Sequence, residues 1–82
     1  MAINYEELVK NLVTPLVVHS EDVLVKKFAD ENGLLSMQVL VNKEDLGRVI
    51  GKSGKIAQAI RTIVYAGASK EGKKVKIDFD AF

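Results

Sequence analysis

Hydrophobic and polar positions alternate along this chain with two different periods, and the changes of period divide it into elements. Over residues 4–16 the apolar positions are Tyr5, Leu8, Val9, Leu12, Val13 and Leu16. That is the spacing of one helical face and predicts a helix. Asn4 suits its N-cap, with Glu7 three residues on as a capping-box partner. Pro15 ends or kinks the helix near Thr14, which leaves His19 and Ser20 in a connecting loop.

The period then falls to two. Residues 23–30 are rich in β-formers and read as a strand. Asp30-Glu31-Asn32-Gly33 reads as a turn, because Asn-Gly accepts positive φ. In residues 34–41, Leu35, Met37, Val39 and Val41 alternate with Ser36 and Gln38, so one face of a second strand is buried. The two strands are expected to form an antiparallel hairpin.

Helix-start residues follow at Asn42 and Asp45, and a short helix is expected to reach about Ile50. A turn over Gly51–Gly54 interrupts it. A longer helix runs from about Lys55 to Ala68, with Ile56, Ile60, Ile63, Val64 and Gly67 in one stripe widened by alanines. Val75, Ile77 and Phe79 alternate with Lys74, Lys76 and Asp78 in a last strand. The predicted order is α-β-β-α-α-β. A right-handed crossover makes the second and third strands parallel neighbours, and the first strand pairs antiparallel on the other side. The expected fold class is α/β in the broad sense: an α+β two-layer sandwich, a three-stranded mixed sheet with all helices on one face.

Length and composition restrict the function. Eighty-two residues are expected to make one domain. No apolar run reaches the roughly 20 residues of a membrane span, and the first residues lack the pattern of a signal peptide. With no cysteine, disulfides, thiolate chemistry and zinc–sulfur sites are excluded. These features favour a cytoplasmic protein. The formal net charge is only +1, so position matters more than the sum. Lys43, Arg48, Lys52, Lys55 and Arg61 face only Glu44 and Asp45 between residues 43 and 61. No acid–base pair, nucleophile or metal cluster is evident, and His19 reads as a loop residue without a partner. The expectation is a non-enzyme with no cofactor.

The local basic excess surrounds a glycine pair in Val49-Ile50-Gly51-Lys52-Ser53-Gly54-Lys55-Ile56. Read as Gly47-Arg48-Val49-Ile50-Gly51-Lys52-Ser53, the stretch is a nucleotide-binding loop one residue short, since G-x-x-x-x-G-K-[ST] needs four residues between its glycines. Its context is also wrong, because a short helix precedes it where a buried strand belongs. The second half fits better. Glycines let two helices meet at a sharp angle and let a polymer backbone approach, while the start of the following helix offers free N–H groups and a positive dipole end to phosphate.

Val49-Ile50-Gly51-Lys52-Ser53-Gly54-Lys55-Ile56 resembles the V-I-G-x-x-G-x-x-I signature of KH domains. The predicted element order is that of the type II KH fold, so the resemblance covers essentially residues 1–82. With Asp45-Leu46-Gly47-Arg48 and Ala59-Ile60-Arg61-Thr62-Ile63-Val64, the chain is most similar to the small stand-alone bacterial KH proteins of the KhpA type (YlqC-like). The resemblance implies single-stranded RNA as ligand, with the loop clamping about four nucleotides. It implies RNA contacts from Arg48, Val49, Ile50, Gly51, Lys52, Ser53, Gly54, Lys55 and Ile56, in a groove between the helix pair and the strand ending near Val41, floored also by residues around Val39. Val49, Ile50 and Ile56 suit the core as well as the groove. The resemblance further implies an RNA-chaperone or post-transcriptional role with a larger KH partner (KhpB, Jag or EloR), linked in some bacteria to cell elongation and peptidoglycan homeostasis.

One clamp on a nearly neutral domain binds weakly, and a second site raises avidity. The long helix has an apolar arc wider than one sheet face covers. Ala59, Ile63 and Ala66 are therefore candidates for a dimer surface, in a homodimer or a heterodimer, unless the first helix covers them. The other functional reading is a protein-interaction subunit with little RNA binding of its own.

Overall fold

The computed structural model describes residues 3–82. Helix α1 is Tyr5–Val13. The Asn4 side chain caps it by accepting the Glu7 N–H at 3.1 Å, which satisfies one of the donors a helix start leaves free. At Pro15 the chain tightens into a 3-10 turn, Thr14–Leu16. A second such turn, Ser20–Asp22, occupies the expected loop.

Strand β1 is Leu24–Glu31 and β2 is Leu34–Val41. Asn32 and Gly33 join them with φ of 56° and 76°, the two positive values that a tight hairpin turn needs. The antiparallel register pairs Leu24 with Leu40 and Glu31 with Leu34, and it slips at Phe28. Helix α2 is Leu46–Ile50, helix α3 is Lys55–Lys70, and β3 is Lys74–Ala81. Strand β3 lies parallel to β2, from Leu34 against Lys74 to Val41 against Ala81. The sheet order is β1-β2-β3. This is the α-β-β-α-α-β arrangement of the type II KH fold, with β2 in the middle as its unbroken apolar alternation implied.

The core lies between the sheet and the helices. Val9 and Val13 of α1, Val49 of α2, and Val64 and Ala68 of α3 meet Met37, Val39, Val41 and Ile77 of the sheet, all essentially without exposure. Helix α1 covers β1, and α2 packs against both α3 and β3. Tyr5 ties the start of α1 to the turn after α3 by donating its hydroxyl to the Glu71 carboxylate. That hydrogen bond, with burial and the Glu71 charge, pushes the phenol up to about 12.

Asp45 is the buried polar residue of the core. It precedes α2, yet its side chain makes no cap hydrogen bond. Its two oxygens instead accept the N–H groups of Val18 at 3.0 Å and His19 at 2.9 Å. The carboxylate thus fastens the segment after α1 to the start of α2. Burial pushes its carboxyl up. The two N–H donors, with the charges of His19 and Arg48, outweigh burial and hold it below the usual carboxylate range.

Candidate nucleic-acid interface

The turn between α2 and α3 has an unusual backbone. Gly51, Ser53 and Gly54 take φ of 75°, 57° and 74°. Three left-handed residues in four fold the chain back on itself, so that α2 and α3 diverge from one tight loop. Lys52 and Ser53 are exposed at its tip. No side chain caps α3 at Gly54; its first N–H, that of Lys55, donates to the Lys52 carbonyl, and the N–H groups that follow and the positive dipole end face the loop. Lys52 and Lys55 have no carboxylate partner among the described residues, and Arg48 lies 3.6 Å from Asp45 with most of its side chain exposed. The loop is therefore a compact cationic tip of donors without acid.

The apolar residues around it divide into two groups. Ile50 and Ile56 are half-buried beside the loop. Val49, expected among the ligand contacts, is 0% exposed. Its side chain points into the core and holds α2 on the sheet, so only its backbone borders the loop. The strand beside the helix pair also differs from the expectation. Val39 is 0% exposed because β2 is the central strand. Strand β3, on which α2 and α3 both pack, supplies the edge that borders them.

Arg61, one of the basic residues between 43 and 61, is neither solvated freely nor paired with an acid among the described residues. Its Nε instead donates to the Ile77 carbonyl of β3 at 3.1 Å, and its guanidinium lies 5.2 Å from the centre of the Phe79 ring. It makes no ion pair with a carboxylate among the described residues. Sequence spacing alone does not show this contact, because it depends on which strand lies at the edge.

Ala59, Ile63 and Ala66 are exposed on the outer side of α3, Ile63 at 51%. Helix α1 leaves them uncovered. His19 is less isolated than its sequence context suggested. Its ring nitrogens lie 3.9 Å from Glu21 and 3.4 Å from Glu44, and ligand atoms of His19, Glu21 and Asp22 fall within 4.8 Å of one another. His19 and Asp22 are half-buried and Glu21 is exposed, and Asp22 is engaged by Asn42 at 3.1 Å.

Comparison with known proteins agrees with this architecture. A family model described as "KhpA/KhpB, KH domain" matches residues 6–79. The chain is 49% identical over 73 residues to the RNA-binding protein KhpA of Listeria monocytogenes, covering 89% of this chain and 95% of the relative. It is 39% identical over 74 residues to the RNA-binding protein KhpA of Bacillus subtilis, covering 89% of each. Among solved structures, Aquifex aeolicus Era bound to GDP and AlF4− superposes with a TM-score of 0.69 at 18% identity, over 94% of this chain and 29% of Era. Era in complex with MgGDPNP and a segment of 16S ribosomal RNA gives 0.64 at 20% identity, again over 29% of the Era chain. The Era likeness concerns the fold. Loop, element order and relatives together place the chain in the KhpA/KhpB KH-domain family.

Proposed function

We propose that this chain is a one-domain, non-catalytic binder of single-stranded RNA whose Gly51-Lys52-Ser53-Gly54 loop clamps the phosphate backbone. The observation that carries the reading is the loop itself: an exposed lysine and serine, Gly51 packed closely against Ile56, and a helix start without a side-chain cap. Phosphate neutralises both the ammonium groups and the dipole end. Arg48 and Lys55 contact the backbone at the rim, while Ile50 and Ile56 offer an apolar floor to the bases. Relatives named RNA-binding proteins support the same ligand.

The exposed Ala59, Ile63 and Ala66 support a second element of the proposal. A large aliphatic side chain flanked by two alanines lets another helix approach closely. Two copies, or this chain and a larger KH protein, would pair there and double the clamp. A role as RNA chaperone or post-transcriptional regulator, and the link to cell elongation and the cell wall, follow from the family resemblance.

Binding of short single-stranded RNAs by fluorescence anisotropy tests the clamp. Lys52→Asp with Ser53→Asp is expected to abolish binding while the circular dichroism spectrum stays unchanged. Equal binding by this variant refutes a loop-centred clamp.

A further inference from the structure

The seam between α3 and the free edge of β3 begins near the loop, passes Arg61 and ends in a cavity. Helical periodicity puts Gln58, Arg61, Tyr65 and Ser69 on one flank of α3. Arg61 marks which way that flank faces, because it reaches the Ile77 carbonyl. Beyond it, Tyr65 and Ser69 line a cavity of about 370 Å3 with Lys73, Lys74 and Val75. Tyr65 is 38% exposed. Lys73 is held by Asp30 at 3.3 Å, whereas Lys74 has no carboxylate partner among the described residues. Its backbone is fixed by a 2.8 Å bond to the Gly33 carbonyl.

We propose that this cavity is a further nucleotide subsite, in which Tyr65 stacks a base and Lys74 and Ser69 hold its phosphate. The proposal rests on the RNA-binding reading above and extends the track past the nucleotides held at the loop. Charge selects the occupant. No carboxylate lines this cavity, whereas three other clefts include Glu6 and Glu7, Asp22 and Glu44, or Glu6 and Asp30. An aromatic face beside an ammonium and a hydroxyl is the combination that holds single-stranded nucleic acid with little regard to sequence. Continuity supports it too, since Arg61, held by Ile77 and Phe79 and without a carboxylate partner among the described residues, lies between loop and cavity along one seam. Tyr65 lies on a different side of α3 from Ile63, roughly 160° away at 100° per residue. The subsite and the proposed pairing surface therefore do not compete.

The test is a ladder of single-stranded RNAs from four to eight nucleotides, read by anisotropy. For the unaltered chain, affinity is expected to rise beyond four nucleotides. Tyr65→Ala is expected to remove that gain, a loss of roughly tenfold for the longer RNAs, with four-nucleotide binding unchanged. Lys74→Gln, at an exposed position, reads the same gain without touching the core. It is expected to lower the salt dependence for long RNAs by about one unit of slope. Affinity that does not grow past four nucleotides overturns the subsite while leaving the clamp intact. So does a gain that survives both variants, which would place the added contact elsewhere on the chain. A chain that binds no RNA of any length overturns the clamp and the subsite together.

Discussion

A Cβ placed on Gly51 would sit 2.6 Å from Cγ1 of Ile56 and 2.9 Å from its Cβ. Ile56 therefore fills the space that any other residue at position 51 would need. Gly54 has the same positive φ but nothing within 4 Å of its would-be Cβ. The two glycines answer different demands: one permits close packing as well as the turn, the other the turn alone.

Gly51→Ala is thus expected to combine the strain of a backbone open in practice only to glycine, φ 75° and ψ 174°, about 1–3 kcal/mol, with an overpacking cost of about 1–3 kcal/mol. Gly54→Ala, at φ 74° and ψ 12°, carries only the milder left-handed strain of about 1–2 kcal/mol. Urea denaturation of both variants checks this, and similar midpoints would contradict the assigned role of Ile56.

Val49 and Ile50 are neighbours with opposite surroundings. Val49→Ala leaves a void in the core and is expected to cost on the order of 2 kcal/mol, with RNA affinity little changed in the folded fraction. Ile50→Ala is expected to cost less stability and more affinity. Melting curves and anisotropy on the same samples separate the two effects.

Asp45 makes stability depend on acid pH. Its folded carboxyl titrates below the ordinary 3.8, so the unfolded chain takes up the proton first as pH falls. The stabilisation is full above the unfolded value and is lost as pH drops through the lower folded one. Asp45→Asn cannot accept both N–H groups equally well. It is expected to lower Tm at pH 7 by roughly 5 °C and to flatten the fall in Tm between pH 5 and 2.

Ile63→Arg places a charge in the middle of the exposed apolar strip of α3. If copies pair there, the variant sediments as a monomer under conditions where the unaltered chain is a dimer, and its fold is unchanged. An unaltered chain that is monomeric at high concentration excludes self-pairing and leaves the larger KH partner as the occupant.

Much of the fold was legible because local rules and the global arrangement agreed. The alternation of Leu35, Met37, Val39 and Val41 marked β2 with the bounds the structure shows, and Asn32-Gly33 marked its hairpin. The turn between α2 and α3 was legible from its glycines, Gly51 and Gly54. What the sequence concealed depends on which elements become neighbours. The edge strand beside α2 and α3 is β3, a fact that follows from sheet order and that no single strand's pattern contains. Asp45 resembled an N-cap because Asp is common there, and nothing local indicated that its carboxylate would turn inward to Val18 and His19. Arg61 resembled a solvated charge because its acceptor, the Ile77 carbonyl, carries no side-chain signature.

The parallel pairing of β2 with β3 also sets an order of assembly. The β1–β2 hairpin closes over two residues, so it can form early. Strand β3 must return across α2, the loop and α3 before it finds β2, and such distant pairings form slowly. The proposed clamp loop lies inside that crossover, and the seam beside α3 has no second wall until β3 is seated. During synthesis on the ribosome, a nascent chain that has not yet emerged past Ala81 thus has the Gly51–Gly54 loop but not the seam between α3 and β3.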